Sequence, residues 1–119
     1  YNYLAENCDA FYMVIGGWRY EDLPELLSPF NEKGIPAFSQ FGSVEVKSGA
    51  LLSVGKVDFS NLGSYLASVI IRIMNGEKPN DIEQVYREVS GLAINMRTAE
   101  KINYVPDIEF LINCDEIYK

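Results

Sequence analysis

The sequence predicts an α/β fold, a three-layer sandwich in which helices cover a mostly parallel sheet. Short apolar runs of strand length recur at residues 11–15, 35–41 and 50–54, and such runs are typical of buried parallel strands. Segments with helical periodicity alternate with these runs, which favours strand–helix–strand units. With 119 residues, of which 48% are hydrophobic, the chain can bury one core but is too short for two full domains. We therefore assign residues 1–119 to a single α/β lobe.

The first third of the chain supplies a strand and a helix. Residues 1–7 resemble the end of a helix, so we expect the chain to be a fragment of a larger protein. Residues 11–15 form the first predicted strand. A helix follows, with Asp22 at its start and Gly34 as its stop. Pro29 lies inside this helix and is expected to kink it or to split it into two pieces.

The middle of the chain supplies two more strands and the clearest helix. Residues 35–41 and 50–54 are the strands, joined by a polar connection with some helical character. A long amphipathic helix comes next, capped at its start by Asp58 or Ser60. Its apolar residues follow the spacing of one helix face: Leu62, Tyr65, Leu66, Val69, Ile70, Ile73 and Met74.

The last third is less regular. Residues 92–96 have the apolar composition of a strand, and Thr98 is predicted to start a short helix. Pro106 begins a final amphipathic stretch. Strands and helices therefore alternate to the end of the chain, as a parallel α/β sheet requires.

Charge and composition exclude several functions. The chain carries 10 basic and 17 acidic residues, a net charge of −7. Such a surface repels phosphate backbones and anionic membranes, so we expect no nucleic-acid partner. Histidine is absent, which excludes a Ser-His-Asp or Cys-His centre within these residues and argues against an enzyme. We also expect no cofactor.

The two cysteines leave two interpretations open. Cys8 and Cys114 do not form a Cys-x-x-Cys motif, so a zinc site built from thiolates is excluded and we predict no metal site. The cysteines are either two small buried residues with free thiols or a single long-range disulfide, which needs an oxidising compartment.

Ligands of parallel α/β sheets bind at the carboxyl ends of the strands, so the residues at those ends are candidate contacts. The ligand-binding candidates are Gly16, Gly17 and Trp18 after the first strand, Ser39, Gln40 and Phe41 at the end of the second, and Asp58 and Phe59 after the third. Trp18 offers a flat surface for stacking on a planar ligand, or alternatively covers the rim of the lobe. The Gly-Gly pair is a weak phosphate signal, because the motif Gly-x-Gly-x-x-Gly is absent.

Several short motifs occur in a characteristic order along the chain. They are Cys8-Asp9-Ala10, residues 34–38, residues 49–55, residues 57–63, residues 75–79, residues 93–99 and Cys114-Asp115-Glu116-Ile117. In this order they resemble the C-terminal part of an ABC-transporter substrate-binding protein. The family is the type I periplasmic-binding-protein-like one that includes a tryptophan- and tyrosine-binding group. The resemblance covers residues 8–117.

The resemblance implies one lobe of a two-lobed fold, with a small-molecule ligand bound in the cleft between the lobes. The expected function is that of the solute-binding component of an importer, with an ABC permease in the membrane as partner and an amino acid as one expected ligand. The expected location is outside the cytoplasm, in the periplasm or anchored to the membrane. An extracytoplasmic ligand-sensing domain of a signalling protein is an open alternative, since it has the same fold.

The resemblance also assigns roles to single residues. Ser39 and Gln40 would offer polar groups to the ligand, and Asp58 would accept a hydrogen bond from a ligand amine or cap the helix. Lys56 stands where family members usually have Gly, and Trp18 lies in a turn where they usually have small polar residues. A lobe that lacks preceding strands exposes a sheet edge, so we expect some self-association through that edge.

Overall fold

The computed structural model describes residues 1–14, 16–55, 59–87 and 91–119. The chain divides into two compact units, one of Tyr1–Lys56 with Ser90–Lys119 and the other of Val57–Val89. The assignment of all 119 residues to one lobe of a larger protein stays a prediction.

The helices and strands follow one another in nearly the predicted order. They are α1 (Asn2–Asn7), β1 (Phe11–Met13), α2 (Leu23–Glu32), β2 (Ala37–Ser39), α3 (Ser43–Lys47), β3 (Leu52–Val54), α4 (Phe59–Met74), β4 (Leu92–Asn95), α5 (Met96–Lys101), α6 (Ile108–Ile112) and β5 (Glu116–Tyr118). The helix α4 lies in the second unit, and all the other elements belong to the first.

The five strands form one sheet in the order β1-β2-β3-β4-β5. The strands β1, β2 and β3 are parallel, β4 runs antiparallel to β3, and β5 is parallel to β4. The predicted α/β fold with a mostly parallel sheet is confirmed. Because the strand direction reverses at β4, the carboxyl ends of β1 to β3 and the amino ends of β4 and β5 lie at one edge, which we call the site edge.

The core lies between one face of the sheet and the helices α2 and α3. Met13, Ala37 and Ala93 point to this face, and Leu27 of α2 and Val46 of α3 close over them. All five side chains are fully or almost fully buried. Burial of a Leu, Met or Val side chain contributes about 1.5–3 kcal/mol, so this layer fixes the strand ends that form the site edge.

A second apolar cluster joins α1 to α2. Phe30 stacks on Phe11 with the ring centroids 4.4 Å apart, and Tyr1 meets both rings edge-on. Ala5 and Ile35 complete the cluster. The helix predicted for residues 1–7 is therefore confirmed, and its aromatic contacts hold it against the lobe.

The other face of the sheet is covered only in part by the first unit. Ile102 and Tyr104, which follow α5, line a cavity of about 300 Å³ together with Phe38 on β2. Towards β1 the same face is open, since Tyr12 and Val14 are 57% and 55% exposed. The expectation that the first strand is buried on both faces is wrong, because α2 and α3 cover only the face that carries Met13.

The helix α2 begins where it is predicted to begin, with Asp22 as its N-cap residue, but without a side-chain cap. Asp22 makes no capping hydrogen bond, because its carboxylate accepts hydrogen bonds from the Arg19 guanidinium at 3.0 Å through both oxygens. Pro29 lies inside α2 without splitting it. Gly34 follows the helix with a φ of 73°, a left-handed conformation that ends helices and favours glycine. The predicted stop is thus confirmed.

The helix α5 is started by Asn95 and not by Thr98. The Asn95 Oδ1 accepts a hydrogen bond from the backbone N–H of Thr98 at 3.1 Å, which is the geometry of an N-cap. Thr98 lies inside the helix, and its hydroxyl donates to the Gly49 carbonyl at 3.1 Å. Asn95 also donates from Nδ2 to the Val46 carbonyl at 2.7 Å, so one buried side chain connects α5 to α3.

The strand β5 lies within the final stretch that the sequence analysis treats only as amphipathic. Its position is fixed at the site edge, where the backbone N–H of Leu92 donates to Asp115 Oδ2 at 2.7 Å. The backbone N–H of Asp115 in turn donates to the Leu92 carbonyl at 2.8 Å. The end of the chain is thereby held beside β4.

The second unit is dominated by α4, which confirms the long predicted helix. Tyr65 on this helix donates its hydroxyl to the Glu83 carbonyl at 2.6 Å. Arg72 forms a two-point ion pair with Glu77, which raises the pKa of the guanidinium and lowers the pKa of the carboxyl. Of the two predicted caps, Ser60 lies inside the helix and Asp58 lies outside the described residues. No helix in the described part of the chain combines the length and apolarity that crossing a membrane requires.

Candidate functional site

The turn after β1 places Trp18 at the site edge. The Trp18 ring is half-buried and packs against the core that contains Met13. Gly16 lies against the indole, since a Cβ added there would lie 2.1 Å from a ring carbon of Trp18. A side chain at position 16 would therefore displace the indole. Gly17 has open space around it, so it leaves room beside the ring.

A cavity of about 220 Å³ opens at the site edge, and we call it the edge cavity. Its walls are Gly16, Trp18, Tyr20, Phe41 and Glu45. Three of the predicted ligand residues, Gly16, Trp18 and Phe41, are therefore brought together. Ligand pockets usually enclose roughly 300–1,000 Å³, so the edge cavity has the size of one part of a ligand site.

Ser39 and Gln40 lie at the end of β2 but are not walls of the edge cavity. Ser39 is 2% exposed, and its Oγ accepts a hydrogen bond from the backbone N–H of Phe41 at 3.0 Å. Ser39 thus shapes the turn that presents Phe41. Gln40 is exposed, and its Oε1 accepts a hydrogen bond from the Tyr12 hydroxyl at 3.3 Å.

The end of β3 touches the end of β2 through backbone atoms. A Cβ added at Gly55 would lie 2.4 Å from the carbonyl oxygen of Gln40, so any larger residue forces one strand end to move. Asp58 lies outside the described residues, and Phe59 is described only as the first residue of α4. Their roles in ligand binding stay predictions.

Glu45 is the wall residue that the sequence analysis missed. It lies in the first turn of α3 and is 3% exposed. Burial raises the pKa of its carboxyl above the ordinary value of 4.5, and a hydrogen bond from its own backbone N–H opposes that shift. Within the described part of the chain, Glu45 has no ion-pair partner. The available signal is an acidic residue between Val44 and Val46 in the segment that joins two strands.

Glu45→Gln should raise the free energy of unfolding at pH 7. The folded state holds the Glu45 proton more tightly than the unfolded state, so the carboxylate destabilises the fold above the raised pKa. Below pH 4.5, the ordinary value, both states are protonated and the difference between variant and parent should vanish. Urea unfolding at pH 4 and pH 7 measures this, with the exposed Glu100→Gln as control. A variant less stable than the parent at pH 7 would contradict the expectation.

The two cysteines are free and half-buried, which agrees with the first of the two interpretations. The pKa of the Cys114 thiol is raised by burial and, to a lesser degree, by the neighbouring Asp115 carboxylate. A raised pKa keeps the thiol protonated, and the protonated form is a poor nucleophile. Among the residues that the structure describes, no group of three metal-ligating side chains occurs.

Comparison with known proteins identifies the family. The fold is that of a lobe of a substrate-binding protein, and the family model described as ABC transporter substrate binding protein matches residues 1–116. The chain belongs to this ABC transporter substrate-binding family. A comparison with curated proteins finds no match.

Three solved structures resemble the chain, and each alignment covers 98% of it. A conserved domain protein from Vibrio cholerae is 22% identical with a TM-score of 0.73, over 38% of its own length. An ABC domain from Streptococcus pneumonia in complex with L-Trp is 20% identical with a TM-score of 0.72, over 39% of its length. A ligand-free, open substrate-binding protein with adhesive properties from Clostridium difficile is 18% identical with a TM-score of 0.71, over 38% of its length. The chain thus spans about two fifths of these proteins, and the likeness shows the fold.

Proposed function

We propose that the chain is part of the solute-binding component of an ABC importer and that its site edge forms one wall of the ligand cleft. The observation that carries this proposal is the edge cavity, in which Trp18, Tyr20 and Phe41 meet at the carboxyl ends of parallel strands. Strand ends of this kind are where α/β folds bind ligands. The family match supports the same assignment.

The walls of the edge cavity suit a ligand with an apolar or planar group. Aromatic rings offer large, rigid contact surfaces, and offset or edge-to-face contacts between rings add about 0.5–1.5 kcal/mol beyond burial. Trp18 and Phe41 are the proposed ligand-stacking residues. Gly16 makes room for the Trp18 ring, and Gly17, with open space around it, lets the ligand approach the backbone closely. An amino acid is the proposed class of ligand, and the L-Trp bound to the neighbour from Streptococcus pneumonia supports it.

The proposed activity is binding without chemical change. The chain has no histidine, and the Cys114 thiol is kept protonated by burial. A second lobe would complete the cleft. An ABC permease in the membrane would then recognise the closed form of the protein on the outer side of the membrane. Closure of two lobes around a ligand is a common hinge motion.

A thermal-shift panel of the twenty amino acids on the full-length protein tests this proposal. A ligand that binds the folded state raises the melting temperature in proportion to the logarithm of its concentration above Kd. Trp18 is the single tryptophan of this chain, so subtracting the emission of a Trp18→Phe variant isolates the signal from the edge cavity. We expect at least one amino acid to raise the melting temperature and to change that difference spectrum. A panel without any shift, or turnover of a ligand during incubation, would overturn the proposal.

A further inference from the structure

A buried acidic side chain in an aromatic cavity needs a physical explanation. Burial of an ionised carboxylate without a partner is strongly unfavourable, so buried carboxylates are paired with cations or become protonated. Glu45 is 3% exposed and lines the edge cavity, and none of the described Lys or Arg residues pairs with it. Among the described residues, the cavity therefore presents an acceptor without a cation.

The other walls favour a cation at the same place. Trp18, Tyr20 and Phe41 surround the cavity with Glu45, and aromatic faces attract ammonium groups by about 0.5–2 kcal/mol as the group loses water. The net charge of −7 attracts cationic solutes and repels anionic ones. The Glu45 carboxylate, the aromatic rings and the net negative charge of the chain thus all favour a positively charged group on the ligand.

We propose that Glu45 accepts hydrogen bonds from the ammonium group of the solute and makes the protein select amines that carry an apolar group. This inference rests on the proposed function, since it names the recognition element of that same cleft. The ammonium would lie against Glu45, and the apolar group would extend past Trp18 and Phe41. The edge cavity, at about 220 Å³, has room for the ammonium end and the first part of the apolar group.

A competing source of the ammonium exists within the chain. Lys56 follows β3 in the sequence, and β3 ends at the site edge. If Lys56 neutralised Glu45, a Lys56→Met variant would leave the Glu45 carboxylate without that cation. The variant would then bind amines more tightly than the parent protein. If the solute supplies the ammonium, this variant should bind amines as the parent does.

Isothermal titration of the full-length protein with phenethylamine and 3-phenylpropanoate tests the inference. The two compounds share the ring and the two-carbon chain and differ in the charged group. We expect the amine to bind at least tenfold more tightly than the carboxylate. Glu45→Gln should weaken amine binding about ten- to hundredfold, the usual contribution of a hydrogen bond to a charged group, and should leave 3-phenylpropanoate unchanged or tighter.

The control is Glu100→Gln, which removes the same charge from an exposed position on α5 and should bind the amine like the parent. Equal binding of the two compounds, or amine binding that survives Glu45→Gln, would overturn the inference while leaving the proposed function intact. Tighter amine binding by Lys56→Met would overturn it as well. Binding of neither compound overturns the inference, and the amino-acid panel then decides the proposed function separately. A cooperative urea unfolding curve shows that each variant is folded.

Discussion

Phe30→Ala should lower the free energy of unfolding by about 3–5 kcal/mol, the usual cost of removing a buried Phe ring. Phe30 has no exposed surface, stacks on Phe11 at 4.4 Å and meets Tyr1 edge-on. The variant loses the burial of the ring and two aromatic contacts, and leaves a cavity between α1 and α2. Since small domains are stable by about 5–15 kcal/mol, a large fraction of the variant would be unfolded under mild denaturing conditions.

Urea unfolding measures the effect, read as a lower midpoint with the slope unchanged. Tyr3→Ala is the matched control, because Tyr3 is an aromatic residue of the neighbouring α1 that is 74% exposed. Its effect should stay within about 0.5 kcal/mol. The unfolding midpoint of Phe30→Leu should lie between the midpoints of these two variants. Equal midpoints for Phe30→Ala and Tyr3→Ala would show that the aromatic cluster does not stabilise the fold.

Asn95→Ala should lower the free energy of unfolding by about 1–3.5 kcal/mol. The side chain caps α5 through Oδ1, and loss of an N-cap costs about 0.5–2 kcal/mol. It also donates to the Val46 carbonyl at 2.7 Å. That carbonyl keeps the hydrogen bond from the Gly49 N–H at 3.1 Å, so the variant loses one buried hydrogen bond, which costs about 0.5–1.5 kcal/mol. The two losses add, since they concern different backbone groups on α5 and α3.

Asn95→Ser separates the two contributions. The Ser hydroxyl can still cap α5, but it is too short to reach the Val46 carbonyl, so the variant should recover about 1 kcal/mol relative to Asn95→Ala. Asn113→Ala is the control, because this amide bonds the Glu109 carbonyl at 2.7 Å on an exposed surface. Urea unfolding of the three variants measures these differences in the free energy of unfolding. Identical stabilities for Asn95→Ala and Asn113→Ala would contradict the buried role.

The sequence predicts the strands β1, β2 and β3 because a local apolar run marks each of them. The runs at residues 11–15, 35–41 and 50–54 are apolar enough to be recognised as strands without any tertiary information, and each contains an observed strand. The strand β5 has no such run, since only Ile117 among its three residues is aliphatic. Its pairing depends on contacts between Leu92 and Asp115, which are far apart in the sequence.

The residues of the candidate site likewise divide into those with a local sequence signal and those without one. Trp18 and Phe41 are predicted because both lie shortly after the end of a parallel strand, and the topology brings these strand ends together. The role of Ser39 toward a ligand stays a prediction; its side-chain oxygen also accepts a hydrogen bond from the backbone N–H of Phe41, a local bond that residue type does not reveal. Glu45 is not predicted because its burial arises from the packing of α3 in the fold, which the local sequence does not reveal.

The backbone contact between Gly55 and the Gln40 carbonyl oxygen limits how this fold can diverge. A Cβ at position 55 would lie only 2.4 Å from the Gln40 carbonyl oxygen. A residue larger than Gly at this position would therefore move the end of β2 or of β3. In the loop that carries Trp18, position 17 has open space and can accept a side chain, whereas position 16 cannot do so without displacing the indole. Substitutions that keep the fold are therefore expected at position 17 and not at position 55, so the β2–β3 junction is the fixed part of the site edge.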